Sequence, residues 1–133
     1  MIVLDTHVLL WMVGNHPDIG PLTRRSIEED WTAGAVGVSA ISFWEVALLQ
    51  ARNKVELPVP VAQWRQDLLA AGLAEWPVDG EVAISAASLA HFHRDPADRF
   101  IAATAMAQRA TLVTADQAIL DWPSRLSRLN ARR

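Results

Sequence analysis

The chain begins Met1–Met12, MIVLDTHVLLWM. Ile2–Asp5 reads as a short buried strand and His7–Val13 as a helix, because the apolar run breaks for two polar residues and then resumes at helical spacing. Between them stands an acid. A carboxylate between two core-forming segments must be paired, capped, bound to a cation or placed at an edge, since burying it bare is expensive. Thr6 reads as the N-cap, which leaves Asp5 at the end of the strand.

The same hand-over from strand to helix recurs along the chain. Val36–Ser39 reads as a strand followed by a helix over Ser42–Asn53, with Phe43, Val46, Ala47 and Gln50 at helical spacing. Leu22–Ala33 is amphipathic and helical. Lys54–Pro60 is a connection, because two prolines end any helix there. Val61–Ala71 is a helix closed by Gly72, and Leu73–Val78 is a strand. Gly80–His91 and Asp95–Ala110 read as helices, Thr111–Thr114 as a strand, Ala115–Leu120 as a short helix and Ser127–Asn130 as a last strand. Short apolar strands alternating with helices predict an α/β fold: a three-layer α/β/α sandwich around a central, mainly parallel sheet, in one domain over 1–133.

The composition fits this. Half of the 133 residues are hydrophobic and a fifth are charged, the balance of a globular protein with a real core. The absence of cysteine excludes disulfides and thiolate metal sites and suits a reducing compartment. Asp5 and His7 break the first apolar segment, which also lacks a basic n-region, so it is a poor signal peptide. No apolar stretch is long enough for a membrane span. The expected location is the cytoplasm. A net charge of −3 does not advertise nucleic-acid binding, but Arg125, Arg128, Arg132 and Arg133 crowd the last nine positions. Six tryptophans point to a buried oligomer or partner surface.

Four acids occupy helix starts: Asp5, Glu45 in SAISFWEVA, Asp98 in HRDPADRF and Asp116 in TLVTAD. In an open parallel sheet these hand-overs share the carboxyl edge, where ligands bind. Taken singly, three have a structural reading. Ser42 and Glu45 fit a capping box. Asp95, Pro96 and Asp98 fit a cap, an N1 proline and a first-turn acid. Thr114 is available to cap the helix that holds Asp116. Taken together, clustered acids repel one another, and Mg²⁺ or Mn²⁺ relieves that while supporting two-metal phosphoryl chemistry. His91 and His93, two apart, share no helical face and lack the spacing of a helical zinc pair. His7 reads as structural, Asp95 as a cap and Arg99 as a salt-bridging residue. Trp44 is expected on a different helix face from Glu45.

These segments resemble the PIN-domain ribonucleases, in particular the VapC-type toxins of bacterial toxin–antitoxin pairs. The matching pieces are MIVLDTHVLLW, VSAISFWEVALLQARNKVEL, LAHFHRDPADRFIAATAMAQ and TLVTADQAILDW, in order across nearly the whole chain. The resemblance implies an acidic pocket of Asp5, Glu45, Asp98 and Asp116, with Asp5 and Asp98 as principal ligands of Mg²⁺ or Mn²⁺ and with Thr6 and Thr114 in support. It further implies an RNA substrate, a small VapB-like antitoxin and a homodimer. Ala90, Ala97 and the Leu48-Leu49-Gln50 run depart from the family pattern, the last where many relatives carry a lysine. Two other readings stand beside this one. One is a non-catalytic PIN-like binding module. The other is an aspartate-nucleophile phosphatase or receiver-type domain, for which His7 replaces the expected second acid and Lys54, the only lysine, lies past a helix.

Overall fold

The computed structural model describes residues 1–133. The elements run in the order β1 (Ile2–Leu4), α1 (Thr6–Val13), α2 (Pro21–Thr32), β2 (Val36–Ser39), α3 (Ile41–Ala51), α4 (Val61–Ala70), β3 (Ala74–Trp76), α5 (Gly80–Ala87), α6 (Pro96–Ala107), β4 (Thr111–Thr114), α7 (Gln117–Leu120) and β5 (Arg128–Asn130). The strands form one sheet in the order β3-β2-β1-β4-β5, and every pairing is parallel. Ile2 lies beside Val36 on one side and Thr111 on the other.

Both faces of the sheet are covered, and the period of two along a strand decides which side chain serves which layer. Ile2, Leu4 and Val113 pack with Val8, Leu9, Ile27, Val46 and Trp64 from the helices of one layer. Val3 and Leu112, one residue out of step, pack with Ile101, Ala102, Ala105 and Ile119 of the other. The expected α/β/α sandwich is therefore present. Fully burying a side chain such as Leu4 or Ile101 contributes about 1.5–3 kcal/mol, so these short strands are held chiefly by their two helical layers.

The chain builds from β1 outward through β2 to β3, then returns to place β4 on the opposite side of β1. The crevice beyond the carboxyl ends of β1 and β4 is thus the topological switch point of the sheet, the usual ligand site of an open α/β fold.

Several local expectations change. The helix read as Gly80–His91 ends at Ala87, and His91 takes a left-handed conformation with φ of 59°. The Ser42–Glu45 capping box does not form. Helix α3 starts a residue earlier, with Ala40 at the N-cap and the Ile41 amide bound to Ser39 Oγ, which leaves Ser42 buried inside the first turn. The last residues, where the arginines crowd, are tied into the fold. The amides of Leu22 and Thr23, orphans at the start of α2, donate to the main-chain oxygen of Arg133, and Gly20 leaves room for that approach. Arg128 donates to the carbonyls of Ile119, Trp122 and Ser124.

Candidate active site

Asp5 leaves the end of β1 at the switch point and is 2% exposed. It is the N-cap of α1, not Thr6: Asp5 Oδ1 accepts the Thr6 amide at 2.8 Å. Its other oxygen accepts the hydroxyl of Thr114, at the end of β4, at 2.7 Å. The Thr114 oxygen in turn accepts the Asp116 amide at 3.0 Å, so one buried hydroxyl ties two acids together across adjacent strands. Thr114 is not the cap of α7. Asp116 caps that helix itself, accepting the Ala118 amide at 2.9 Å.

Released from capping, Thr6 Oγ1 lies 2.5 Å from Glu45 Oε1 and 2.9 Å from Ser42 Oγ. This contact joins α1 to α3 and turns the Glu45 carboxyl toward the crevice. Burial raises the Glu45 pKa above the ordinary carboxyl value; the Thr6 hydroxyl opposes this, and the charges of Asp5 and Asp95 add to it.

Asp98 sits in the first turn of α6, beneath the cap Asp95, whose Oδ1 accepts the Asp98 amide at 3.3 Å. Burial pushes the Asp98 pKa up to about 8, and Asp5, Asp95, Glu45 and Asp116 all push the same way by repulsion. Five carboxyls thus meet around one crevice. Asp95 both caps and contributes to the field.

A histidine completes the cluster. His93 Nε2 lies 3.2 Å from Asp98 Oδ2 and 3.7 Å from Asp116 Oδ2. The three donor atoms all fall within 4.8 Å of one another. That Nε2 is buried and makes no hydrogen bond. A divalent ion fits this donor set, in which hard carboxylate oxygens repel one another and a buried ring nitrogen has no partner.

Residues 2–122 match the PIN domain family. Over 117 residues the chain is 34% identical to Ribonuclease VapC22 of Mycobacterium tuberculosis (strain ATCC 25618 / H37Rv), an alignment covering 87% of each protein. The chain is a PIN domain of the VapC type. In fold it is similar to VapBC2 from Rickettsia felis, bound to a DNA fragment from its promoter, with a TM-score of 0.71, 20% identity and 98% of each chain covered. It is also similar to DNA-bound VapBC from Salmonella typhimurium, with a TM-score of 0.70, 19% identity and 96% of each chain covered.

The resemblance to VapC-type PIN domains therefore holds, and the four acids named from it lie along one edge. The spacing of His91 and His93 does not reveal the role of His93, because its partner is Asp98 in the following helix and not the neighbouring histidine. The usable signal lay across the helix start: two residues before the Asp95 cap, the chain faces the same helix end as Asp98. Arg99 of this PIN domain forms no salt bridge. Its guanidinium donates to the carbonyls of Ala86, Leu89, Phe92 and His93, which holds the loop between α5 and α6. Of these, Ala86 belongs to the last turn of α5, so that helix ends with a carbonyl facing a cation in place of a further helical amide.

His7 is structural. Its Nε2 accepts the Ala115 amide at 3.0 Å and its Nδ1 stands 3.6 Å from Asp5. Trp44 is 54% exposed and, though it follows a different direction around α3 from Glu45, borders the same cavity. That cavity of about 270 Å³ also meets Arg52, Asp95 and Ala97. The other tryptophans are tied into the fold: Trp64 and Trp122 are buried, Trp31 donates to Ala71 O, Trp76 packs on Gly37, and Trp11 lies against His16 and Arg132.

Proposed function

We propose that this VapC-type ribonuclease hydrolyses RNA phosphodiester bonds with a Mg²⁺ or Mn²⁺ ion held in the crevice by Asp5, Asp98, Asp116 and Glu45. The observation that carries this reading is the convergence of Asp5, Glu45, Asp95, Asp98 and Asp116 on one crevice with no lysine or arginine side chain paired to any of them, a setting in which burial and the four other acids push Asp98 up to about 8. A bound divalent ion supplies Lewis-acid stabilisation of the scissile phosphate and a water of lowered pKa. The chain's own groups do the rest. Thr6 and Thr114 fix both oxygens of Asp5. Glu45, held through Oε1 by Thr6, would complete the acidic pocket through Oε2, to the ion directly or through a water whose proton it could then take, a task its raised pKa suits. Arg52 and the exposed Trp44 flank the cavity beside Glu45 and offer a phosphate contact and a stacking surface for a single-stranded segment. Arg52 stands in for the lysine that many relatives carry nearby.

In this reading residues 1–133 are a single PIN-like domain, acting in the cytoplasm as the toxin of a toxin–antitoxin pair and as a homodimer. A toxin–antitoxin complex from Klebsiella pneumoniae is also similar in fold, which supports a small antitoxin partner. Exposed Val13 beside an apolar cavity of about 330 Å³ lined by Leu10, Leu57, Pro58 and Trp64 offers such a partner a surface. No helix is long and apolar enough to cross a membrane.

The test is a calorimetric Mn²⁺ titration of the wild-type chain and of the double variant Asp5→Asn/Asp98→Asn, beside an RNA cleavage assay. Binding and cleavage are expected to vanish together in the variant while its circular dichroism stays native. Binding that survives unchanged would put the ion elsewhere. No binding in either protein would leave the acids as helix caps in a non-catalytic module.

A further inference from the structure

We infer that His93 is a nitrogen ligand, through Nε2, of the ion held by Asp98 and Asp116, which makes the centre a mixed nitrogen–oxygen site. The inference rests on the metal-dependent reading above.

The geometry of the ring carries it. His93 Nε2 is 3.2 Å from Asp98 Oδ2, yet it makes no hydrogen bond to that oxygen or to Asp116 Oδ2 at 3.7 Å. At 3.2 Å the distance alone would allow a hydrogen bond, so the in-plane axis of the nitrogen points away from Asp98 Oδ2, while Asp116 Oδ2 stands too far for one. Neighbouring ligands in an octahedron with bonds of about 2.1 Å stand about 3.0 Å apart, close to the observed nitrogen–oxygen separation. The nitrogen is also held in place. Its ring stacks on Phe92 at 4.6 Å, Phe92 packs edge-on against the buried Trp122, and Arg99 binds the carbonyls of both Phe92 and His93.

The competing arrangement is a proton on Nε2 that bridges the two acids. It would match the contact from the Asp95 amide to His93 Nδ1 at 3.4 Å, which requires an unprotonated Nδ1. Ligation moves that proton to Nδ1 and gives up this bond, which at that length is weak. An imidazole donor favours Mn²⁺ and later first-row ions over Mg²⁺, which prefers oxygen and retains its waters.

Pulsed electron paramagnetic resonance on the Mn²⁺-loaded full chain decides between the two. The wild type is expected to show the nitrogen modulation of a coordinated imidazole. His93→Gln is expected to lose it, and His7→Gln, which removes the other imidazole near Asp5, to keep it. By calorimetry His93→Gln should weaken Mn²⁺ binding roughly tenfold and Mg²⁺ binding less than about threefold. Bound Mn²⁺ without nitrogen coupling in the wild type, or coupling that persists in His93→Gln, would overturn ligation by His93 and leave the acidic site standing. No Mn²⁺ bound by the wild type would overturn both. The wild-type spectrum decides even where His93→Gln folds poorly.

Discussion

Asp98→Asn should stabilise the metal-free protein while removing its function. The fold raises the Asp98 pKa from 3.8 to about 8, so the neutral form is favoured in the native state. The sign follows from proton counts. Between these two values the folded chain holds a proton that the unfolded chain releases, so stability falls as pH rises through that window. At about 1.4 kcal/mol per pH unit, the ceiling at pH 7 is roughly 4 kcal/mol. Solvent relaxation around a partly exposed carboxyl brings this to the order of 1–2 kcal/mol. For a chain of this length that is roughly 4–8 °C in melting temperature. Thermal unfolding of both proteins in EDTA at pH 5 and pH 8 measures it. The gap should be smaller at pH 5, where Asp98 is neutral in the folded chain but already ionised in the unfolded one, and Asp98→Asn should melt clearly higher at pH 8. Excess Mn²⁺ should reverse that order at pH 8, because ion binding at about a hundred times Kd adds about 2.7 kcal/mol to the wild type alone. A variant that melts below the wild type at pH 8 in EDTA, or a gap that does not change with pH, would refute the claim that repulsion and burial dominate this carboxyl.

Three further outcomes follow from single contacts. Thr114→Val removes the donor to Asp5 Oδ2 and the acceptor of the Asp116 amide at a fully buried position, so urea unfolding should show a loss of about 2–3 kcal/mol together with weaker Mn²⁺ binding. Arg99→Lys cannot reproduce a planar fork serving four carbonyls; it should cost about 2 kcal/mol, and hydrogen exchange should quicken over residues 86–95 before the rest of the chain. Gly37→Ala places a Cβ against the Trp76 ring and Ala74 O between β2 and β3, and overpacking there should lower stability by about 1–3 kcal/mol by the same urea assay.

The amino-acid sequence by itself determined the elements and the edge they share. Val36–Ser39 and Thr111–Thr114 are strands at the predicted bounds, because β-branched apolar runs bounded by turn residues have few alternatives. The Asp95-Pro96 start of α6 formed as read, because N-cap and N1 preferences are local. Asp5, Glu45, Asp98 and Asp116 were legible as a set, since each stands at a hand-over from strand to helix or in the first turns of a helix. What each side chain does there was not legible. Whether Asp5 or Thr6 caps α1 depends on Glu45, thirty-nine residues away, which claims the Thr6 hydroxyl. Arg99 serves carbonyls and not an acid because α5 ends where it does. The amides that open α2 are satisfied by Arg133, and no local pattern connects those positions. His93 joins the acids only when the loop between α5 and α6 folds back over the sheet edge. Local propensity fixes where a helix begins. The partner of a buried polar atom is fixed by whichever group the packed chain brings within about 3 Å, and that is a property of the tertiary structure.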